Sequence, residues 1–301
     1  MHRRRFLASS ALLAASSFAV PHLAWAQRRD TFTEIRRGVG IYENRGGTIG
    51  WLVRPDALVV VDSQFPEQAE QCWTGLRSRT GHDLDLLLNT HHHGDHTAGN
   101  AVFGPQARQV VGHVNVPELM QAAAQRARDN GREAADPVVP TTTYATEWRM
   151  DVGDEVVRMR HHGPAHTRGD SVIFFENANV VHMGDLMFNR RMPFIDLGSG
   201  ASTQGWVDTL TTVYDTYDAE TVFIFGHSNP DYPITGDVGD IVVMRDFFEA
   251  LRAYVEQGVK AGKTAEALLA EANGTIPGAP NGFDYNRLDF TLQTVHTEMT
   301  S

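Results

Sequence analysis

The chain has 301 residues, 42% of them hydrophobic, and a formal net charge of −11 at pH 7. This length and composition suit one large globular domain or two small ones and argue against collagen-like, coiled-coil or disordered chains. The acidic balance argues against a general affinity for nucleic acid or anionic membranes, which needs a basic surface, and the single cysteine, Cys72, excludes an intrachain disulfide.

Residues 1–26 have the three parts of a secretory signal peptide. A start with three arginines precedes an apolar stretch at 6–20, and the small residues Ala24 and Ala26, on either side of Trp25, supply a cleavage site. The Arg-Arg-Arg-Phe-Leu run also fits the twin-arginine pattern, which exports folded proteins, and an uncleaved anchor is the alternative. We expect cleavage to leave a periplasmic or secreted protein with 23 basic and 37 acidic residues and no stable membrane association.

The first half of the mature chain predicts strands that alternate with helices. Pro66 suits the first turn of a helix, and the apolar run 84–88 predicts a buried strand that leads into a histidine-rich stretch. Residues 129–144 have little periodicity and predict a loop without a recognisable binding signature. The other predicted elements are strands within 32–61 and at 109–111, and helices at 66–79 and 117–128.

The second half repeats this order. The four residues Glu-Asn-Ala-Asn at 176–179 separate two apolar runs and predict a hairpin. Apolar residues at spacings of 3, 4, 3 and 4 between Ile241 and Val255 predict an amphipathic helix. The loop at 189–204 carries no substrate signature. The other predicted elements are strands at 156–159, 171–175, 180–183 and 221–225, and helices around 206–217, 265–272 and from 285 onward.

Four places in the chain end a predicted strand and offer metal ligands beside or near a glycine, which lets the backbone approach closely. In the first place, alternate residues of an extended segment point the same way, so two of its histidines can share one metal while His92 points away. The candidate ligands are His91, His93, Asp95 and His96 in the first place, then His166, Asp185 and His227 in the other three.

These motifs together resemble the metallo-β-lactamase superfamily. The pattern is His-x-His-x-Asp-His, a lone histidine in Gly-Pro-x-His-Thr, Gly-Asp after a hairpin, and Gly-His after a late strand. The resemblance covers about 35–230 and implies an α/β (α+β) fold, an αββα four-layer sandwich in which two mixed sheets pack face to face with helices outside. We expect residues 27–301 to form a single domain with its core at about 35–230 and C-terminal helices at 239–299.

The resemblance also implies a dinuclear zinc site, although imidazole and carboxylate suit manganese or iron as well. Two ions about 3.5–4 Å apart can share a hydroxide and lower its pKa toward neutrality. The implied activity is hydrolysis of an ester, thioester, lactone or lactam carbonyl in a small molecule, with Asp95 orienting the nucleophile or passing its proton. The implied first ion is bound by His91, His93 and His166, the second by Asp95, His96 and His227, and Asp185 bridges both.

Several roles remain open at this level. Asp62 and Asp170 either hydrogen-bond a ligand imidazole or cap a turn. Asn189, Arg190 and Arg191 follow the Asp185 motif, and one arginine is a candidate for binding a substrate carboxylate.

The choice of reaction also stays open. A bridging aspartate resembles glyoxalase II and the lactonases, but the segment after His227 is sparse in the basic residues with which glyoxalase II binds glutathione. The alternatives are an antibiotic hydrolase of the β-lactamase type and a non-hydrolytic iron or redox protein of the same fold.

Overall fold

The computed structural model describes residues 31–301. The predicted signal peptide and its twin-arginine run lie outside these residues. No helix within residues 31–301 is both long enough and apolar enough to cross a membrane.

Seven strands form the first sheet in the order in which they occur in the chain. The first four pair antiparallel, and the last three join in parallel. The strands are β1 (Thr31–Arg36), β2 (Val39–Glu43), β3 (Ile49–Arg54), β4 (Ala57–Val61), β5 (Leu84–Leu88), β6 (Ala107–His113) and β7 (Thr142–Tyr144).

Six strands form the second sheet, and two short strands form a separate parallel pair. In the second sheet only the pair formed by Val180–His182 and Val222–Ile224 is parallel. The second sheet has the order β15-β13-β11-β10-β9-β8 and consists of β8 (Glu147–Val152), β9 (Glu155–Arg160), β10 (Val172–Phe175), β11 (Val180–His182), β13 (Val222–Ile224) and β15 (Thr235–Gly236), while β12 (Phe188–Asn189) pairs with β14 (His227–Ser228).

The helices lie on the outer faces of the two sheets. Cys72 on the first long helix is fully buried against the outer face of the first sheet, as expected of a core residue. The helices are α1 (Pro66–Arg77), α2 (Gly94–Thr97), α3 (Asn100–Phe103), α4 (Val116–Asp129), α5 (Thr203–Thr216), α6 (Val238–Lys260), α7 (Ala265–Ala272) and α8 (Leu288–Thr300).

Three apolar clusters join the four layers of the fold, which are helices, first sheet, second sheet and helices. The central cluster joins the inner faces of both sheets, for example Val59 and Leu88 with Ile173 and Phe175. A second cluster packs α1 and α3 on the first sheet, and a third packs α5, α6 and α8 on the second sheet. Because successive residues of a strand face opposite sides, each sheet contributes to two of these clusters. The predicted αββα sandwich is confirmed.

Most predicted elements agree with the structure to within a few residues, and two predictions need correction. Residues 129–144 are not loop throughout, because 142–144 form β7 at the edge of the first sheet. The edge strand β8 at 147–152 was not predicted, although its sequence, Glu-Trp-Arg-Met-Asp-Val, alternates polar and apolar residues as a half-buried strand does.

Candidate metal centre

The seven predicted ligands converge at one edge of the sandwich. His91 and His93 follow β5, and Asp95 and His96 lie in the one-turn helix α2. Of the others, Asp185 follows β11, His227 begins β14, and His166 lies in the loop between β9 and β10. The ends of neighbouring strands meet at this edge, so residues far apart in the chain come within contact distance.

Four side chains form the first ligand group, which is defined by His91, His93, His166 and Asp185. Nδ1 of His93 lies 3.1 Å from Nε2 of His91 and 2.9 Å from Nε2 of His166. Oδ2 of Asp185 lies 3.5 Å from Nε2 of His166 and 3.9 Å from Nε2 of His91. The four atoms therefore surround one small volume.

The second ligand group consists of Asp95, His96 and His227. Oδ2 of Asp95 lies 3.1 Å from Nε2 of His227 and 3.8 Å from Nε2 of His96. The other carboxylate oxygen of Asp185, Oδ1, lies 2.9 Å from His96 Nε2 and 3.4 Å from His227 Nε2. Asp185 thus directs one oxygen to each group, as a bridging ligand would.

Gly226 makes the bridging position possible. Its neighbour His227 must lie beside Asp185, and a Cβ at position 226 would collide with Oδ1 of Asp185 and with the backbone of Gly184. A residue without a side chain is therefore required at this approach.

The outward nitrogens of four ligand imidazoles have acceptors. Nδ1 of His96 donates to Oδ2 of Asp62 at 2.7 Å, and Nδ1 of His166 donates to the Phe194 carbonyl at 2.8 Å. Nε2 of His93 donates to Oδ2 of Asp196 at 3.0 Å. Nδ1 of His91 donates to Oγ1 of Thr90 at 3.0 Å, and that hydroxyl in turn donates to Asp62. These partners place the proton on the outer nitrogen and direct the lone pair inward.

This arrangement fits bound metal ions. Inward lone pairs that lie 2.9–3.1 Å apart have no proton between them and repel each other unless a cation lies among them. Two nitrogens bound tetrahedrally to one zinc at about 2.0–2.1 Å are roughly 3.3 Å apart, close to the observed spacing. Oδ1 of Asp185 is buried and lies 2.9 Å from Nε2 of His96, so a cation that displaces the proton of that imidazole can bind between them.

The two groups differ in their electrostatics. Burial, reinforced by neighbouring imidazoles, holds the pKa of His91 well below its usual value and lowers the pKa of His166 to about 3. Burial opposes the charged form of His96 and His227 too, but the carboxylate of Asp185 outweighs it and raises both pKa values. His91 and His166 therefore present neutral nitrogens, whereas His96 and His227 retain protons that a metal must displace.

The two carboxylates of the centre are ionised. Burial would raise the pKa of Asp185, but His96 and His227 outweigh it and hold the pKa well below its usual value. Burial is likewise outweighed at Asp95, where His96 and His227 lower the pKa to about 2.

Asp62, predicted to contact a ligand imidazole or cap a turn, contacts His96 directly. Its two oxygens also accept the backbone N–H of Thr90 at 2.8 Å and the Thr90 hydroxyl at 2.7 Å. Asp62 has a φ of 59°, which is uncommon for a residue with a side chain. This strained backbone places one carboxylate beneath ligands of both groups.

Asp170 caps a turn, which is the second of its two predicted roles. Its oxygens accept the backbone N–H and the hydroxyl of Thr167 at 2.8 and 2.6 Å, and no ligand imidazole contacts its carboxylate. Burial raises the pKa of Asp170 to about 7, although the hydrogen bonds from Thr167 oppose this. The residue shapes the loop that carries His166.

The structure separates the three residues predicted to bind substrate. Asn189 is buried and donates to the Pro233 carbonyl, and Arg190 pairs with Asp240 at 3.0 Å. Neither lines the cavity beside the ligands, so their placement argues against a substrate role. Arg191 does line that cavity and is exposed.

Two residues at the centre were missed from the sequence. Asp196 orients His93 and accepts the Ser199 N–H, and Arg287 lines the cavity from the C-terminal segment. Asp196 lies 103 residues from His93 in a loop without periodicity, so no sequence signal marked it. His92 belongs to neither of the two ligand groups. It lies in a separate cluster with His93 and Asp196, and its Nε2 is 3.2 Å from the Ser199 hydroxyl.

A cavity of about 660 Å³ opens onto the ligands. Aromatic and apolar side chains form one wall, and charged residues lie around it. A slightly larger cavity of about 720 Å³ around Phe32 and Trp51 contains none of the ligands and is not the site. The lining residues include Asp95, Asp185, Phe188, Arg191, Met192, Phe194, His227, Asp284 and Arg287.

Comparison with known proteins agrees with this architecture. The family model described as metallo-beta-lactamase superfamily matches residues 43–227. Among solved structures, a stereoselective inverting sec-alkylsulfatase from Pseudomonas sp. superposes with a TM-score of 0.68 at 14% identity over 90% of this chain and 50% of its own. A metallo-beta-lactamase from Pontibacter korlensis superposes with a TM-score of 0.57 at 17% identity over 73% and 99%. At such identities these likenesses concern the fold alone.

Two curated proteins are similar in sequence. The 2,4-dinitroanisole O-demethylase subunit alpha of Nocardioides sp. is 27% identical over 135 residues, 44% of this chain and 38% of that protein. A hydroxyacylglutathione hydrolase of Methylococcus capsulatus is 26% identical over 204 residues, 65% of this chain and 69% of its own. The chain thus spans well under half of the first relative's length.

Proposed function

Because the chain belongs to the metallo-beta-lactamase superfamily, we propose that it is an exported dinuclear metallohydrolase, with zinc as the metal, that cleaves an ester, thioester, lactone or lactam carbonyl. The fold and the clustered histidine and aspartate ligands are those of a metal-dependent hydrolase. The observation that carries the dinuclear proposal is Asp185, whose two oxygens face separate ligand groups.

In this proposal each residue of the centre has a defined role in metal binding or catalysis. His91, His93 and His166 would hold one ion, Asp95, His96 and His227 would hold the other, and Asp185 would offer one oxygen to each. When bound, two such ions would lower the pKa of water and polarise the scissile bond. Asp95 is ionised, partly exposed and part of the cavity wall, so its carboxylate would also be placed to orient the attacking water and accept its proton.

A thioester is the first substrate to test. The hydroxyacylglutathione hydrolase of Methylococcus capsulatus is named for such a substrate and aligns with most of its own length. Export, proposed from the signal-peptide pattern of residues 1–26, is tested separately by fractionating cells and sequencing the mature N-terminus, which is expected to be Gln27. A full-length N-terminus in the cytoplasm would contradict export without affecting the hydrolase proposal.

The deciding experiment combines metal analysis with a substrate panel. Purified mature protein is expected to contain close to two zinc ions per chain and to lose activity on chelation. The panel contains a thioester, an acyl-lactone, nitrocefin and a phosphodiester. Metal-free protein with full activity would refute the proposal.

The same measurements separate the two alternatives. Preferential turnover of nitrocefin would favour an antibiotic hydrolase. Bound iron with visible absorbance and no turnover of any ester would favour a redox protein.

A further inference from the structure

Four strands form the edges of the two large sheets, and β8 differs from the other three. β7 and β15 have only three and two residues, and the pairing of β1 has a bulge-like shift of register between Glu34 and Arg36. The six residues of β8 pair with β9 without a shift of register and include neither proline nor lysine. Short strands, bulges, prolines and lysines protect sheet edges from other strands, so β8 is the edge that remains open.

Every second residue of β8 directs its backbone groups away from β9. The hairpin between the two strands has a two-residue turn with Gly153 at a φ of 59°, so the two residues that flank it form a hydrogen-bonded pair. Hydrogen-bonded and non-hydrogen-bonded pairs then alternate. The N–H and C=O groups of Glu147, Arg149 and Asp151 therefore face the open edge, and within residues 31–301 none of them has a backbone partner outside the β8–β9 ladder.

A hydrogen bond on the other side of β9 supports this assignment. The Val156 carbonyl, opposite Asp151, accepts the N–H of Glu176 at the end of β10 at 2.9 Å. A carbonyl of β9 that points to β10 points away from β8. Val156 and Asp151 therefore form a non-hydrogen-bonded pair, and the backbone groups of Asp151 lie on the open side.

The side chains of β8 form an apolar face that is only partly covered. Trp148 and Val152 pack in the central cluster between the sheets, but Met150, between them on the same face, is 36% exposed. The opposite face carries charged side chains, among them Arg149 and Asp151, which are exposed. Another strand added at this edge would cover Met150 and leave the charges on the outer face.

The sequence of β8 is complementary to itself in one antiparallel register. If two copies pair about a twofold axis at Met150, Arg149 of each copy lies opposite Asp151 of the other. Trp148 then lies opposite Val152. Arg149 and Asp151 are also residues whose backbone groups face the edge, so their pairs are hydrogen-bonded in this register.

The other registers that align the edge-facing backbone groups fit less well. A pair centred on Arg149 places Glu147 opposite Asp151, and a pair centred on Asp151 places that carboxylate opposite itself. Like charges directly opposite each other destabilise a sheet. A pair centred on Trp148 leaves the end of β8 opposite residues that precede the strand.

We propose that β8 is a self-association surface, at which two copies of this chain pair antiparallel about a twofold axis at Met150 and continue the second sheet from one copy into the other. The strand contains no metal ligand and no residue of the cavity beside the ligands, so this inference does not depend on the proposed function. A pair of six-residue strands covers less surface than the roughly 1,600 Å² of a typical stable complex. The dimer should therefore dissociate on dilution.

Sedimentation velocity over a concentration series tests this surface. Mature protein is expected to change from monomer to dimer between about 1 and about 200 μM. Arg149→Glu places a glutamate opposite Asp151 of the other copy, and Asp151→Arg places two arginines opposite each other. Because both pairs of the twofold change from attraction to repulsion, each variant is expected to dimerise about tenfold more weakly.

A mixture of the two single variants makes the test specific. In a mixed dimer every acidic side chain at 149 or 151 faces an arginine, so the equimolar mixture is expected to dimerise as well as the unchanged protein. Arg132→Glu reverses the same charge at an exposed position away from β8 and is expected to leave dimerisation unchanged. Thermal unfolding of each variant confirms that it is folded.

The outcomes also separate this inference from the proposed function. Protein that stays monomeric over the whole series, or a mixture that dimerises no better than either single variant, would overturn the inference. A loss of dimerisation in Arg132→Glu equal to that in Arg149→Glu would overturn it too, because net charge would then be the cause. Absence of bound zinc in the same samples would contradict only the proposed function.

Discussion

The two ligand groups of the centre share one carboxylate but have opposite surroundings. In the first group, His91 and His166 are 1% and 0% exposed, and their pKa values are lowered. In the second, the side chains of Asp95 and His227 are 32% and 13% exposed, and the pKa values of the histidines are raised. His91 and His166 are therefore buried and uncharged, whereas His96 and His227 lie among carboxylates that favour their charged form.

The difference follows from the carboxylates around each group. His96 lies near Asp62, Asp95 and Asp185, whereas His166 has Asp185 as its nearest carboxylate and donates to a neutral carbonyl. A metal in the first group replaces few protons, and a metal in the second must displace them. Residues of both groups line the cavity, His93 and Asp185 from the first and Asp95 and His227 from the second, so a substrate in the cavity can reach both.

The largest effect is expected where the two groups meet. Asp185→Asn removes one negative charge from both, so bound zinc should fall below one per chain and activity by at least about a thousandfold, since a metal contributes several kcal/mol. Metal analysis and steady-state rates measure this. Asp215→Asn, an exposed position on α5, should change neither, and full zinc content in Asp185→Asn would contradict the bridging role.

The fold, and the set of candidate ligands that the structure brings together, could be predicted because both depend on local patterns. Apolar runs defined strands such as β5 almost to the residue, and each ligand follows such a run next to a turn. The alternation of an extended segment also separated His92 from its neighbours, and the structure places His92 against Ser199.

The surroundings of the ligands could not be predicted in the same way. Asp196 and Arg287 reach the site from irregular segments, and their positions depend on tertiary contacts such as the one between Asp284 and Met192. Asn189 and Arg190 looked like substrate residues only because they follow Asp185, and the sequence did not show that Asp240 pairs with Arg190.

A smaller but still large effect is expected from a methyl group at position 226. Gly226→Ala would place a Cβ against Oδ1 of Asp185 and 2.6 Å from the backbone oxygen of Gly184, so the backbone itself must move, at about 1–3 kcal/mol of stability or more. We expect the second zinc to be lost first, because His227 is displaced with its neighbour. Gly94→Ala is a matched control, because a Cβ there meets nothing within 4 Å; equal behaviour of both variants in metal content and urea unfolding would refute the steric argument.

Substitution of the two carboxylates that hydrogen-bond the ligand histidines, Asp62 and Asp196, should lower zinc affinity by unequal amounts. Asp62 contacts His96 directly and His91 through Thr90, whereas Asp196 contacts His93. Asparagine at either position keeps the size and removes the charge, and it tolerates the positive φ of Asp62. Zinc affinity should fall about 10–100-fold, more for Asp62→Asn than for Asp196→Asn in competition with a chromogenic chelator. The reverse order would show that the two groups are not linked through Asp62.

The smallest effect is expected from a change of pH, which tests the difference in protonation between the histidines of the two ligand groups. The raised pKa values of His96 and His227 mean that both are neutral well above those values and protonated below them, so the second metal competes with protons as the pH falls. His91 and His166 have lowered pKa values and stay neutral over the same range. Zinc content should therefore fall from two toward one per chain as the pH is lowered, with the second affinity losing about tenfold per pH unit for each proton displaced. Parallel release of both ions, measured by metal analysis after dialysis, would show that the two groups bind as one unit.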